Sequence, residues 1–269
     1  MILAIDVGNT NLVLALGDRA GSVDTVWRVS SDAVTSAGAC VAAFRGTLGK
    51  AVDRIDDTII ASVVPAITPH VAAAMKEITG RTPLVVGEEG VTLGIAVNID
   101  RPEQAGADRI VNAVGAKAHH HLPAVILDFG TATTLDLVGE DGAYEGGIIA
   151  PGVALSIEAL ERAAAQLPRL ELRSFDKDLP VLGKNTVAAM ESGVFWGYVS
   201  MIEGLLARLR SAQGPTGTDM PAIITGGLAP LFASHLEGAV TVDQDLTVKG
   251  LFAIYARNRQ ARHDGDRDG

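Results

Sequence analysis

Residues 126–133 read Ile126-Leu127-Asp128-Phe129-Gly130-Thr131-Ala132-Thr133, and residues 3–10 read Leu3-Ala4-Ile5-Asp6-Val7-Gly8-Asn9-Thr10. Each is an apolar strand that ends in Asp-x-Gly and is followed by Thr. A second apolar run comes next: Leu12, Val13, Leu14 and Leu16 in one copy, Leu135, Leu137 and Val138 in the other. Strand, polar glycine turn and strand is a hairpin pattern. Asp128 stands 122 residues after Asp6, a spacing the size of a domain. Self-similarity of this kind reads as a duplicated α/β domain, two lobes with a cleft between them. A short Asp-x-Gly turn also serves unrelated hairpins. The matching strands on both sides of the two turns favour duplication.

Outward from these turns, the pattern alternates between strands and helices. After the first hairpin, residues 32–50 are Ala-rich and predict a helix, and the β-branched run 58–64 predicts a buried strand stopped by Pro65. Residues 68–80 predict a helix with Pro69 in its first turn and Gly80 just past its end. Residues 83–86 read as a short strand. Residues 102–119 read as one helix that opens on Pro102. After the second hairpin, helices are predicted over 151–166, 186–212, 228–237 and 246–259, with a strand over 222–225. Asn185 or Thr186 would cap the long helix. The resulting division is residues 1–118, residues 119–259, and a charged tail, 260–269, expected to be disordered.

Composition narrows the function. The chain of 269 residues carries 22 basic and 32 acidic side chains, a net charge of −10. Phosphate neutralisation on nucleic acid needs clustered Lys and Arg, so a nucleic-acid groove is not expected. A polybasic membrane anchor is not expected either. Cys40 stands alone, which excludes an intramolecular disulfide and reads as a small buried side chain. The start of the chain reaches Asp6 after Met1-Ile2-Leu3-Ala4-Ile5, too short an apolar stretch for a signal peptide, and Pro65, Pro69 and His70 interrupt the longest uncharged run. A soluble, cytoplasmic protein is therefore expected.

An Asp-x-Gly-x-Thr turn concentrates phosphate chemistry. Gly8 or Gly130 would let backbone approach a phosphate. The N–H groups and the Asn or Thr side chains that follow can donate to its oxygens, and the Asp can hold a metal ion or its water. Other nucleotide fingerprints are absent: Gly49-Lys50-Ala51 and Gly183-Lys184-Asn185 lack the Ser or Thr of a P-loop. Thr225-Gly226-Gly227 follows a strand and opens a helix, either as a phosphate site or as a plain turn. Gly106-Ala107-Asp108-Arg109 falls inside the 102–119 helix, where Gly costs roughly 1 kcal/mol relative to Ala. Neighbours point about 100° apart on a helix, so Asp108 and Arg109 do not make a good mutual pair. They read either as general base and anion-binding guanidinium or as ordinary solvated charges.

Taken in order, these motifs resemble those of the type III pantothenate kinases, within the acetate and sugar kinase, Hsp70 and actin superfamily. The resemblance runs from Asp6 to about Arg257 and also includes Ser62-Val63-Val64-Pro65, Gly146 to Gly152 and Asn185-Thr186. It implies a duplicated, two-lobed actin-like (ribonuclease H-like) ATPase fold and ATP-dependent phosphorylation of pantothenate at its primary hydroxyl, the first committed step toward coenzyme A. It implies that Asp6, Val7, Gly8, Asn9, Thr10, Asn11, Leu12 and Val13 form the first phosphate loop. Asp6 would help place a divalent cation such as Mg2+, and Thr131 would contact ATP. Gly106, Ala107, Asp108 and Arg109 would bind pantothenate, with Asp108 as base, and Thr186 would contact it too. Asp128 would hold K+ or NH4+. The resemblance also implies a homodimer with the substrate site near the subunit interface. One departure stands out: many members carry a Tyr shortly before Gly-x-Asp-Arg, and this chain has Ile99 there.

Other features read as structural. His119-His120-His121 reads as a solvated helix end, since consecutive helical residues diverge. Trp196 and Tyr198 read as core or dimer interface, and Glu158, Glu161 and Arg162 as surface charges. Two further functions stand beside the leading one: a kinase or phosphatase of the same superfamily with another small substrate, and a nucleotide-binding accessory factor for transcription without turnover.

Overall fold

A computed structural model describes residues 1–163, 168, 170 and 179–265. It divides into two compact units. Unit 1 comprises residues 1–120, the short piece 142–144 and the chain from Asp245 onward, and unit 2 comprises 121–141 and 145–244.

Unit 1 is built on the strands β1 (Ile2–Val7), β2 (Asn11–Gly17), β3 (Val23–Ser30), β4 (Asp57–Ser62) and β5 (Leu84–Val85), in the sheet order β3-β2-β1-β4-β5. β1 pairs antiparallel with β2 and parallel with β4. The strand period of two divides its side chains between two cores. Leu3, Ile5 and Val7 face one side with Phe44 of α1 (Ala37–Leu48) and Val71 of α2 (Thr68–Thr79). Ile2 and Ala4 face the other, with Val111 of α3 (Ala107–His119) and Leu251 of α7 (Leu246–Gly265). Asp6 continues the Ile2 and Ala4 row, and so projects from the face that α3 covers.

Unit 2 repeats the plan. Its strands are β6 (Ala124–Phe129), β7 (Ala132–Val138), β8 (Tyr144–Pro151), β9 (Ala222–Thr225) and β10 (Val240–Val242), in the order β8-β7-β6-β9-β10. β6 takes the place of β1: antiparallel to β7, parallel to β9. Leu127 and Phe129 face a core shared with α4 (Val153–Ala163), α5 (Thr186–Ala212) and α6 (Ala229–Phe232), where Phe129 and Phe232 stack at 5.1 Å. The same order of strands around β1 and around β6 is the duplication expected from the two turns.

Three expectations are corrected. The helix over 102–119 is interrupted: a single 3-10 turn, Pro102–Gln104, is followed by extended backbone at Ala105, and α3 begins after Gly106, its N-cap. Gly106 is therefore outside the helix, and the cost of an interior glycine does not arise. The last helix, α7, belongs to unit 1, not to a lobe spanning 119–259, because it packs on α3. It also runs to Gly265, into the tail read as disordered. Gln260, Ala261 and Arg262 are good helix formers, although the run offers no apolar stripe. Residues 164–166 of the helix expected over 151–166, and 266–269 of the tail, lie outside the described residues.

Candidate active site

The first turn joins β1 to β2. The Gly8 N–H donates to Asn11 O at 3.1 Å, closing a four-residue connection between the paired Val7 and Leu12. Val7 and Leu12 are buried and Val13 half-buried, whereas Asn9, Thr10 and Asn11 are exposed at the tip. The polar positions of the proposed phosphate loop are thus the ones presented to solvent. Ser31, which the sequence reading passed over, holds this tip from behind. Its N–H donates to Thr10 O at 3.0 Å and its hydroxyl to Gly8 O at 2.8 Å. Ser62-Val63-Val64-Pro65 proves structural. The Ser62 hydroxyl accepts from Val64 N–H at 3.1 Å and from the Thr68 hydroxyl at 2.7 Å, which fixes the entry to α2.

The second turn, between β6 and β7, is one residue shorter, with Phe129 paired to Thr133 and Gly130 N–H donating to Ala132 O at 3.1 Å. Asp128 is half-buried on the face away from the phenylalanine core. In register it lies between Thr225 of β9 and Thr134 of β7, so carboxylate and hydroxyl oxygens share one row. Hard oxygen donors of this kind suit a hard cation. Two glycines back the turn. Gly226 has a φ of 90°, and a Cβ on it would stand 2.5 Å from Asp128 Oδ1. A Cβ on Gly152 would run into the Thr131 carbonyl. Gly130 itself is exposed, its φ is not positive, and the nearest atom to an added Cβ is 3.5 Å away. Nothing inside the turn requires glycine at 130. Thr131 beside it is exposed.

Asp108 and Arg109 sit in the first turn of α3. The Arg109 N–H donates to Asp108 Oδ1 at 2.8 Å, so the carboxylate folds over the helix start, where the orphan N–H groups favour it. A Cβ at Gly106 would stand 2.6 Å from that oxygen, at the movable end of the Asp108 side chain. The Arg109 guanidinium carbon lies 5.6 Å from the centre of the Tyr144 ring. Asp6 and Asp108 are both in unit 1, on the same side of its sheet.

Thr186 is the first residue of α5, exposed, behind an Asn185 cap whose side chain accepts from Ala188 N–H at 2.9 Å. It opens a groove of about 920 Å3 along α5, floored by Met190, Gly193, Val194 and Gly197 and walled by Leu160 of α4. Trp196 and Tyr198 pack into the unit 2 core. The Trp196 indole donates to Leu179 O at 3.1 Å, and the Tyr198 hydroxyl to Pro151 O. Among the described residues, no group of three or more His, Cys, Asp or Glu could hold a metal ion, the histidines at the end of α3 included. A carboxylate such as that of Asp6 suits a divalent ion that keeps most of its waters and binds substrate phosphates. No described helix is long and apolar enough to cross a membrane.

Two equivalent sheets, each with an Asp-x-Gly turn at the end of its central strand, define the actin-like ATPase and sugar-kinase fold. Solved structures agree at the level of fold. A conserved Baf family transcriptional activator from Campylobacter jejuni superposes with a TM-score of 0.60 at 18% identity, covering 96% of this chain and 99% of that one. The activator of 2-hydroxyisocaproyl-CoA dehydratase from Clostridium difficile, with bound ADPNP, gives 0.53 at 10% identity, covering 100% and 97%. The particular family follows from sequence: the chain belongs to the type III pantothenate kinases, whose family model matches residues 2–208. Type III pantothenate kinases from Paramagnetospirillum magneticum and Rhodospirillum centenum are each 46% identical to it. They cover 96% of this chain, which spans 98% and 99% of theirs.

Proposed function

We propose that the chain transfers the γ-phosphoryl group of ATP to the primary hydroxyl of pantothenate in the cytoplasm, giving 4'-phosphopantothenate for coenzyme A synthesis. Membership of the type III family over nearly the full length carries this reading. A kinase of this family uses ATP with a divalent cation. The exposed Asn9, Thr10 and Asn11 in unit 1, and Gly130 and Thr131 in unit 2, would each meet ATP phosphates. Nothing within its own turn requires glycine at 130, since an added Cβ would meet no atom closer than 3.5 Å, which leaves close approach of a phosphate as the role we assign to it. Asp6 would orient the hydrated divalent ion. Asp128, with the Thr oxygens in its row, would hold K+ or NH4+. A bound cation neutralises phosphate charge, which lets an acidic chain handle a polyanion.

Phosphoryl transfer is chiefly positioning and charge stabilisation. Asp108 would accept the hydroxyl proton, and Arg109 would pair with the pantothenate carboxylate as a planar fork. Thr186 would donate to the same substrate. We assign the exposed apolar face of α5 to a second copy of the chain, making a homodimer. Val187 on α5 is 41% exposed, Val181 and Leu182 in the segment just before the helix are 73% and 78% exposed, and large exposed apolar patches on a protein mark interaction sites.

Coupled ADP release with purified protein, ATP and pantothenate tests the reading, with and without K+. Turnover that depends on pantothenate and rises with K+ is expected. Absence of turnover under both conditions rejects it. Turnover with a sugar or acetate, but not with pantothenate, would move the chain to another substrate of the superfamily.

A further inference from the structure

Tyr144 is buried, 1% exposed, and the sequence assigns it no task. It belongs to unit 1 although it opens β8, because its main chain reaches back to the segment before the substrate motif. Its N–H donates to Ala96 O at 2.9 Å, and its carbonyl accepts from Asn98 N–H at 2.8 Å, so Val97 and Tyr144 form a parallel bridge. The ring that this bridge fixes carries the Arg109 guanidinium on its face, 5.6 Å from the centroid. That distance is within the range of a cation–π contact, which strengthens when the pair is desolvated. A single residue therefore ties the segment ending at Ile99 to the arginine that opens α3.

We infer that Tyr144 is a positioning residue: its ring holds the Arg109 guanidinium in the orientation that receives the substrate carboxylate. An arginine has several rotatable bonds, and its fork recognises a carboxylate only when its plane is set. A ring buried beneath it sets that plane before the substrate arrives, which lowers the ordering cost of binding. The aromatic support thus comes from the first residue of β8. The inference rests on Arg109 as the anion-binding residue.

The test compares Tyr144→Phe, which keeps the ring, with Tyr144→Leu, which removes it. The substrates are pantothenate and pantothenol, in which a hydroxymethyl group replaces the carboxylate. Tyr144→Leu should raise KM for pantothenate about 3- to 30-fold, with kcat and KM for ATP near the parent values. Tyr144→Phe should restore the parent KM, and pantothenol should show little difference among the three proteins. An unchanged pantothenate KM in Tyr144→Leu overturns the inference. So does an equal loss toward both substrates, or the same loss in Tyr144→Phe, since a merely structural ring would behave so. If Tyr144→Leu does not fold, fluorinated phenylalanines at 144 weaken the ring's negative face at nearly constant volume. Pantothenate KM should then climb with each added fluorine, and a flat series overturns the inference. Arg109→Ala separates the two layers. If it leaves pantothenate KM unchanged, the anion-binding role of Arg109 fails and the positioning role with it. If it raises KM while Tyr144 variants do not, only the positioning role fails.

Discussion

Replacing Asp108 by Asn keeps its volume and its contact with the Arg109 N–H, since the amide oxygen can accept the same bond. What it removes is the capacity to take a proton. Asp108→Asn should therefore lower kcat by about 10²- to 10⁴-fold and, through loss of the charge at the start of α3, stability by only about 0.3–1 kcal/mol, and activity near the parent level would reject Asp108 as base. The glycines divide by the same kind of reasoning. Gly130→Ala meets nothing closer than 3.5 Å, so it should fold normally yet raise KM for ATP by roughly tenfold, about 1.4 kcal/mol of binding. Gly226→Ala combines a φ of 90° with a clash at Asp128, and should destabilise by about 1–3 kcal/mol in chemical denaturation. Sequence alone places both as phosphate-facing, because it shows that a turn needs glycine but not which neighbour excludes a Cβ. Asp6, Asp108 and Asp128 are legible as candidates because carboxylates at strand ends and motif positions can carry chemistry. Ser31 is not, since a lone serine far from the turn gives no sign that it will bond to it. Cys40 behaves as read: burial pushes its thiol up, so the native protein should react far more slowly with iodoacetamide at pH 8 than the unfolded chain.

At the level of elements, α3 and α7 are joined by glycines. A Cβ on Gly115 would stand 2.5 Å from Leu246 O, and one on Gly250 would strike the Val111 carbonyl. The two helices approach backbone to backbone. Farther along α7, the Asn258 side chain accepts from Thr92 N–H at 2.8 Å and donates to Thr92 O at 2.9 Å, fastening the segment that leads to the substrate motif. Gly250→Ala raises helix propensity, yet it should destabilise by about 1–3 kcal/mol, because neither backbone can retreat without breaking core contacts. A gain in stability on urea titration would contradict this packing. Long periodic helices and the central strands were readable because their burial is one-sided or complete. β3 and β10 were not, since their side chains are largely exposed and leave little apolar pattern. β8 was hidden because Gly146-Gly147 reads as a turn and Pro151 as the start of a helix. The break at Gly106 was invisible because a glycine can cap a helix or interrupt one, and the extended backbone at Ala105 and Gly106 leaves no mark in the local pattern.

At the scale of the whole molecule, duplication was legible from two eight-residue stretches because each specifies the centre of a sheet. The membership of α7 was not. It depends on glycine-to-backbone fit with α3, across more than a hundred residues of sequence, rather than on any local pattern. Assembly is the remaining question at this scale, and α5 frames it. Gly193 and Gly197 are exposed on the groove, and an added Cβ at either meets nothing within 4 Å. An arginine at 197 would therefore be accommodated by one chain but not by a second copy laid along the same face. Light scattering should give the parent twice the 27.8 kDa chain mass, and Gly197→Arg a single chain mass with unchanged circular dichroism. Thr186 begins the same helix three turns earlier and lines the same groove. Separation of the copies should therefore raise KM for pantothenate more than KM for ATP. A dimeric Gly197→Arg protein, or a parent that is monomeric at micromolar concentration, would show that the apolar face of α5 serves something other than self-association.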